Sequence, residues 1–600
     1  MWSGVFGGSA AYIAGHLGYP SITEAVIAFK YHIEEWREGD VGMKRTNILI
    51  IAMIGLFAVL VMILTLSNDD QEKRESQEGP NTAEGVDYNY PPERAEALLR
   101  EQEGLEADLL TESTGGTLED PYVNLDPYGR SPLSALVVFD TETRAQVSFT
   151  VQGKDSETDI STTIDGYKTH HEIPIVGLYP SYTNTVEIVA ETESGETMTN
   201  TLTIVTERLP SGIPAIDIKE AKPEKIQLAE NELTFYVPST RHAFAFDVNG
   251  DVRWYGAGFN SHVLQELDNG NLLYLSKDDN SGNTYNRLFE IDYIGKLHNA
   301  FEISEEAAEQ EAEDLESTLV HHDVAELPSG NLLMTVNDGG GEYMEDMMIE
   351  VDRHTGKVMK VIDLKDLFPS EVYEEYPVRD DFGLRDWFHQ NSVVYDESDD
   401  SIIISGRHQD AVMKIDYGTE EIIWILAHPE GWSEEMEGHL IEGESEDFKY
   451  PAAQHDATIL PDFDDNPATI DVLLFDNNTV VTRGDESVSG DYSAATHYRI
   501  DEEAMKAEVV WTYGEALGED YFTRIISSAR YLRDSGNILI DFGHAEEGER
   551  SSFVEVTHDD KSERVFEAEM TRFRAGAWAY RAVRYQLYND SWEERFALKK

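Results

Sequence analysis

From about residue 225 to its C-terminus the chain repeats one unit, and this repeat constrains the fold more than any other feature. One half of the unit reads strand, acidic residue, tight turn. It stands as AFAFDVNG at 243–250, LFEIDYIG at 288–295 and MIEVDRHTG at 348–356. It returns as VMKIDYG at 412–418, YRID at 498–501 and FVEVT at 553–557, six copies in all. The other half reads apolar residues, a turn, then Gly-Asn-Leu-Leu or an equivalent: ELDNGNLL at 266–273, ELPSGNLL at 326–333, YDESDDSI at 395–402 and LRDSGNIL at 532–539. A copy with an acidic insertion runs over 460–474, and a further one lies at 227–236. Each unit supplies about four short strands joined by tight turns, which is the composition of a propeller blade. The expectation is an all-β chain whose residues 225–600 form a six-bladed β-propeller. The stretch 577–584 is expected to close the ring.

The turns also act as a ruler. Five residues before Leu267, Leu327, Val394 and Leu460 stand His262, His322, His389 and His455, at intervals of 60, 67 and 66 residues. The same offset before Leu532 gives Ser527, where the series stops. Equal phase on successive blades brings these histidines to one end of a central channel. Such a cluster can bind a metal, or act as a nucleophile with acid-base and anion-stabilising helpers. Arg407, at the end of the strand after the His389 turn, favours the second. A guanidinium is repelled by a bare metal but forms charge-assisted forks with an oxyanion. No metal or cofactor is therefore expected.

The remaining segments differ in character. Residues 1–47 precede a run at 48–66 of nineteen residues without a charge, long enough to span a bilayer core. Met43-Lys44-Arg45 directly before this run reads as a native start, with Met1 belonging to an over-extended one. No small-residue cleavage site follows, so the run is read as an uncleaved signal anchor. Lys44 and Arg45 before it, and Asp69 and Asp70 after it, place the body outside the cell in a single-pass membrane protein. Residues 67–125 are acidic and rich in Pro and Gly, a stalk or linker with a short helical stretch over 92–110. Residues 126–212 alternate Thr, Val and Ile with polar residues between Gly and Asp clusters, as a small β-sandwich does.

Composition bears on partners and habitat. Acidic residues number 117 against 46 basic ones, a formal charge of −71 spread along the whole chain. Nucleic acid is excluded as a partner, because phosphate binding rests on Lys and Arg. With 61 aromatic residues the chain is no disordered acidic tail. An acidic folded surface screened at molar salt points to a halophile, an archaeon. The chain has no cysteine, so thiolate chemistry and disulfides are absent.

Three stretches then fit a known pattern together: VHHD at 320–323, DWFHQNS at 386–392 with SGRHQ at 405–409, and QHDA at 454–457. With their surroundings, from about 130 to 585, they resemble the arylsulfate sulfotransferase family, a six-bladed propeller with an N-terminal β-domain. The resemblance implies transfer of a sulfuryl group from a phenolic sulfate ester to a phenolic acceptor, ping-pong, through a sulfohistidine and without a nucleotide donor. It implies His455 as the nucleophile, with His322, His389 and Arg407 holding sulfuryl oxygens or managing the phenolic proton. Asn391, His321 and His408 are the substrate-binding candidates, Asn391 orienting a sulfate oxygen or a neighbouring histidine. Register favours His322 over His321 as the inward ring. His262 is read as structural, and His544 as an outlying candidate. The lysine that the family carries in a late loop has no counterpart here, and Arg524 and Arg530 are the cations that could replace it. Relatives can be dimeric, so a homodimer is a further implication. The alternative is a non-catalytic cell-surface propeller that binds a partner through a degraded site.

Overall fold

The computed structural model describes residues 92–239, 241–277, 285–303, 320–337, 342–377, 384–484, 489–573, 578–588 and 598. The expected membrane span at 48–66, the choice between Met1 and Met43, and the first part of the linker lie outside these residues. Among the described residues no helix is long and apolar enough to cross a membrane.

The repeat folds into β-sheet throughout. Five antiparallel sheets each take four strands in chain order. The second sheet holds Leu264–Glu266, Leu272–Ser276, Arg287–Ile291 and Leu297–Ile303. The third holds Val320–Glu326, Leu332–Val336, Met347–Val351 and Val358–Asp363. The fourth holds Gln390–Asp396, Ser401–Gly406, Ala411–Asp416 and Ile422–Ala427. The fifth holds His455–Ile459, Thr469–Asp476, Ala494–Asp501 and Lys506–Tyr513, and the sixth Ser528–Tyr531, Asn537–Ala545, Arg550–Thr557 and Arg564–Thr571. The first sheet is assembled differently. Its strands Glu232–Pro238, Phe244–Phe246 and Val252–Tyr255 come from the start of the repeat. Its remaining strand, Ala579–Gln586, comes from the end of the chain and pairs antiparallel with Glu232–Pro238. It takes the place that Leu264–Glu266 or Val320–Glu326 takes in its own sheet.

The strand–acid–turn half of the unit has a local physical cause. In the second, third, fourth and sixth sheets a register shift falls at the last paired residue before the aspartate or its equivalent: Glu290/Ile291, Glu350/Val351, Lys414/Ile415 and Glu555/Val556. A bulge at that phase adds twist to each hairpin. The aspartate then closes the turn with its side chain: Asp292 Oδ1 accepts from the Ile294 and Lys296 amides at 3.1 and 3.0 Å. Gly295 supplies the left-handed turn residue at φ +86°.

The N-terminal β-domain is built on one long strand, Ala135–Val151. Its first half pairs with Tyr122–Leu125 and Lys168–Ile175, and its second half with Ile160–Thr163 and Thr183–Thr192. This domain shares a hydrophobic core with the first sheet through Val176, Phe235 and Trp254. Burying a Phe side chain of this kind contributes about 1.5–3 kcal/mol. Arg253, fully buried, donates to the Gly177 and Thr158 carbonyls at 2.7 and 2.8 Å.

From residue 92 the expected linker is part of the fold. Pro92–Arg94, expected as the start of the helical stretch, instead adds a strand to the edge Leu297–Ile303, and the helix runs over Glu96–Glu112, ending two residues later than composition suggested. The cause is polar. Gln102 exchanges two hydrogen bonds with the Leu297 backbone, at 2.7 and 2.6 Å, and buried Glu106 pairs with Lys296 at 2.8 Å. A polar, acidic segment is thus docked by specific buried contacts that hydrophobicity does not reveal.

Candidate active site

The first strands of the third, fourth and fifth sheets begin at the histidine motifs, and the structure brings those motifs together. His455 opens its strand opposite Phe475 and is buried. Its Nδ1–H donates to Asn477 Oδ1 at 2.7 Å and lies 3.0 Å from the Ala453 carbonyl. Asn477 cannot flip, because its Nδ2 donates to the Thr523 and Ile526 carbonyls at 2.8 and 2.9 Å. The amide oxygen therefore faces the imidazole and fixes the tautomer, with the proton on Nδ1 and the lone pair on Nε2. Nε2 has no hydrogen-bond partner among the described residues. Burial, and then the neighbouring Arg407 charge, hold the His455 pKa well below the ordinary value, so the ring is neutral.

His389 is the opposite case. Its Nδ1 lies 2.7 Å from Asp386 Oδ2 and 2.7 Å from Glu345 Oε2. Burial alone would push its pKa down, but these two carboxylates outweigh burial and hold it up at about 10. Asp386 responds in turn: burial would raise it, and His389 and His408 instead hold it well below the usual carboxylate range. The ring is an imidazolium with one N–H on a carboxylate and the other free for the site. His408 lies 4.6 Å from it with the rings tilted by 33°, donates Nδ1–H to the Asp386 carbonyl at 2.5 Å and accepts from Arg407 Nη1 at 2.6 Å on Nε2. Arg407 has no ion-pair partner among the described residues. Local packing places it: Gly406 lies so close to the Phe388 ring that a Cβ there would meet it at 2.7–2.9 Å. The hairpin that ends in Arg407 is thereby pressed against the residue preceding His389.

His322 completes the cluster, its ring 5.0 Å from that of His389. Its Nδ1 lies 2.8 Å from His321 Nδ1. Buried His321 Nε2 has no partner, while Thr335 Oγ1, which donates to the His321 carbonyl at 2.6 Å, is left to accept from His321 Nδ1 at 3.3 Å. The proton of the pair thus sits on His321 Nδ1, and His322 presents Nε2–H. Burial, then His321 and His389, hold the His322 pKa well below its ordinary value. His321 turns inward to Thr335, 3.3 Å away, and supports His322 from behind. His262 stacks on His322 at 5.0 Å, so the fourth member of the series joins the group. Burial, then Arg581, bring its pKa down to about 3. Tyr580, from the C-terminal strand, packs edge-on against His262 at 4.3 Å. The equal-phase residues also share a backbone state: His262, His322, His389 and Ser527 have φ of +56°, +39°, +53° and +90°. In the fifth sheet the left-handed residue is the next one, Asp456, at +57°. Non-glycine residues in this region are strained and cluster at functional sites.

Asn391 does not orient a histidine ring. Its Nδ2 donates to the Gln454 carbonyl at 2.7 Å, so it fixes the backbone just before His455. Gln454 Nε2 bonds Ser405 Oγ at 2.9 Å and ties the same backbone to the Arg407 hairpin. Of the two candidate extra cations, Arg530 is ion-paired to Asp456. Arg524 is exposed, has no ion-pair partner among the described residues, and interacts electrostatically with Arg407 and His544. His544 packs edge-on to Trp578 at 4.6 Å, beside Arg524. Sequence reasoning assigned no role to Asn477, Glu345, Asp386, Tyr580 or Arg581. The first follows a buried strand directly, and the third precedes His389 by one helical turn's spacing. Glu345 lies in a loop without repeat phase, and the last two carry no histidine at the diagnostic position.

Two trios have ligand atoms within 4.8 Å of one another: His321, His322 and Glu345, and Asp386, His389 and His408. In the second, protonated His389 offers no lone pair and Arg407 occupies His408. The first has the donor types of a metal site, with His321 Nδ1 at 2.8 Å and Glu345 Oε1 at 3.8 Å from His322 Nδ1. The whole arrangement places one neutral imidazole lone pair within electrostatic reach of a guanidinium, an imidazolium and a neutral N–H donor. It can accept an electrophile carrying several anionic oxygens.

The sequence profile of the arylsulfotransferase family matches residues 190–581, and that of the arylsulfotransferase Ig-like domain matches residues 122–207. The arylsulfate sulfotransferase AssT of Escherichia coli O6:H1 is 25% identical over 525 residues, 70% of this chain and 84% of that protein. AssT of Lelliottia amnigena is 24% identical over 525 residues, 69% of this chain and 83% of that protein. The crystal structure of a putative 6-phosphogluconolactonase from Bacteroides fragilis NCTC 9343 is 10% identical and covers 74% of this chain and 99% of its own. Its TM-score of 0.30 carries no argument.

Proposed function

This chain belongs to the arylsulfotransferase family, and we propose that it moves a sulfuryl group between phenolic oxygens through a sulfohistidine at His455. It is an arylsulfate sulfotransferase, in keeping with its curated relatives. The observation that carries the mechanism is the Nδ1–H bond from His455 to Asn477, which leaves Nε2 an unprotonated nucleophile. The Nε2 lone pair attacks sulfur and the bond from sulfur to the aryl oxygen breaks. Arg407 and His322 Nε2–H stabilise the sulfuryl oxygens as charge spreads over them. The departing phenolate takes the proton of His389. A held pKa of about 10 matches that of a phenol, so this proton moves with little driving force needed either way. In the second half an acceptor phenol returns its proton to His389. Its oxygen attacks the same sulfur, and the S–N bond breaks to restore His455.

The six sheets are read as blades of a closed propeller, with Ala579–Gln586 as the inner strand of the first blade. The pairing of that strand with Glu232–Pro238 supports the reading. The uncharged run at 48–66 is read as an anchor that holds the domain outside the cell, and the charge of −71 as an adaptation to high salt.

The test is turnover of a chromogenic aryl sulfate with a phenol acceptor at molar KCl, for the wild type and His455→Ala. Acceptor-dependent phenolate release, lost in the variant, is the expected result. Full turnover by His455→Ala removes the nucleophile. A folded wild type with no turnover at any salt concentration favours a partner-binding module instead.

A further inference from the structure

One buried cation touches the strands of all three motif histidines. Arg581 stands on the C-terminal strand Ala579–Gln586. Its Nη1 donates to Asp323 Oδ1 at 2.7 Å, and its Nε lies 2.9 Å from Asp456 Oδ1, an ion pair outside hydrogen-bond geometry. Its Nη2 donates to the Asn391 carbonyl at 3.4 Å. Asp323 directly follows His322, Asp456 directly follows His455, and Asn391 stands two residues after His389. The second oxygens of the two carboxylates reach onward. Asp323 Oδ2 accepts from the Val393 amide at 3.0 Å, and Asp456 Oδ2 from the Ala529 amide at 3.2 Å. Asp456 Oδ1 is also paired with Arg530. The strands of sheets one, three, four, five and six are thus referred to one guanidinium.

We infer that Arg581 is the positioning residue of this site: it sets the distance between the His455 strand and the strands that carry His322 and His389. The inference rests on His455 as the nucleophile. A planar guanidinium can direct two N–H groups at a carboxylate and a carbonyl while its charge faces a second carboxylate, and the point charge of lysine cannot fix those directions. Both carboxylates carry left-handed or bulged backbone beside them, at His322 and Asp456, so they sit where the strand is easiest to displace. A displacement of about 1 Å at the reacting atoms is enough to cost on the order of a hundredfold in rate. Arg581 touches no substrate atom in this account and acts through the two aspartates.

The experiment compares Arg581→Lys with Arg253→Lys in the full chain. Arg253 is equally buried and pairs with Asp247, but at the junction with the N-terminal β-domain, away from the histidines. Both variants are checked for folding by near-UV circular dichroism and thermal melting. The readouts are the single-turnover burst of phenolate from an aryl sulfate, which reports sulfuryl transfer to His455, and KM for the donor. Arg581→Lys is expected to slow the burst by about tenfold or more while KM stays within about threefold. Arg253→Lys is expected to lower the melting temperature and leave the burst rate unchanged. A burst within twofold of wild type in folded Arg581→Lys overturns the inference, as does an equal loss in Arg253→Lys. If Arg581→Lys does not fold, Asp323→Asn decides. It keeps the Arg581–Asp456 pair, and a wild-type burst from it overturns the inference. His455→Ala in the same assay separates the two proposals: a burst there means that the nucleophile is misassigned, whatever Arg581 does.

Discussion

Replacing Asn477 tests the tautomer argument at its origin. Asn477→Leu keeps the volume and removes the acceptor of the His455 Nδ1–H bond, which is 2.7 Å long in the structure. A neutral hydrogen bond of this kind contributes about 1 kcal/mol, and one to a charged group about 1.5–3 kcal/mol. The ring gains positive charge as sulfur bonds to Nε2, so the bond strengthens along the reaction and its loss falls on kcat. The Ala453 carbonyl, 3.0 Å from Nδ1, retains part of the interaction. With about 1.4 kcal/mol per tenfold in rate, kcat is expected to fall by about 10- to 100-fold with KM for the aryl sulfate little changed. Stability also falls, because the Thr523 and Ile526 carbonyls lose their Nδ2–H donor. That cost is about 1–3 kcal/mol and is read separately by urea denaturation. Asn477→Asp makes a different prediction. A carboxylate beside Nδ1 raises the pKa of His455, which burial now holds well below 6.5. The protonated ring has no lone pair, so the acid limb of the kcat profile moves up towards neutrality. A folded Asn477→Leu with kcat within twofold of wild type, or an unmoved acid limb in Asn477→Asp, refutes the reasoning.

Glu345→Gln takes one of two carboxylates from His389. The folded pKa of about 10 lies above the ordinary 6.5, so the stabilisation is complete below 6.5 and is lost as pH rises through about 10. The variant should move the alkaline limb of kcat, and the alkaline edge of thermal stability, down by about one pH unit or more. Coincident profiles for variant and wild type contradict the two-carboxylate account. Arg524→Ala removes an exposed cation beside Arg407. KM for the sulfated donor should rise several-fold at low salt, and the difference should close at molar KCl, where the Debye length is about 3 Å. Equal KM values at every salt concentration remove Arg524 from the binding of the anion.

Much of this was legible in the sequence because the repeat fixes phase. A constant offset from each turn singled out His262, His322, His389 and His455, and the structure packs the first three rings together with His455 within electrostatic reach. The sequence argument set His262 aside for want of a surrounding motif, yet its ring stacks on His322, since register alone decides which side chains converge. Roles could not be read in the same way. Whether a histidine is neutral or charged depends on Asn477 and Glu345, which lie 22 residues after His455 and 44 before His389, on segments with no shared period. The helix Glu96–Glu112 was taken for linker because Gln102 and Glu106 look like surface residues until their partners at 296–297 are known. Arg581 escaped because the C-terminal strand presents Tyr580 near the histidine rings where the others present histidine. The repeated His-Asp pairs at 322–323 and 455–456 were the trace it left in the sequence.

Among the described strands, the one that completes the first sheet is synthesised after all the others, and this delays assembly of the site. Asp323 and Arg581 are separated by 258 residues of chain. At about 5–20 residues per second, a ribosome that has just placed Asp456 needs roughly 6–25 s to reach Arg581. Throughout that interval the nascent chain carries His455 and both carboxylates without the cation proposed to gather them. Sequence separations of this size also slow the search for native pairing after release. Until Ala579–Gln586 docks, the proposed site lacks the guanidinium to which its strands are referred, and full activity is expected to wait on that docking.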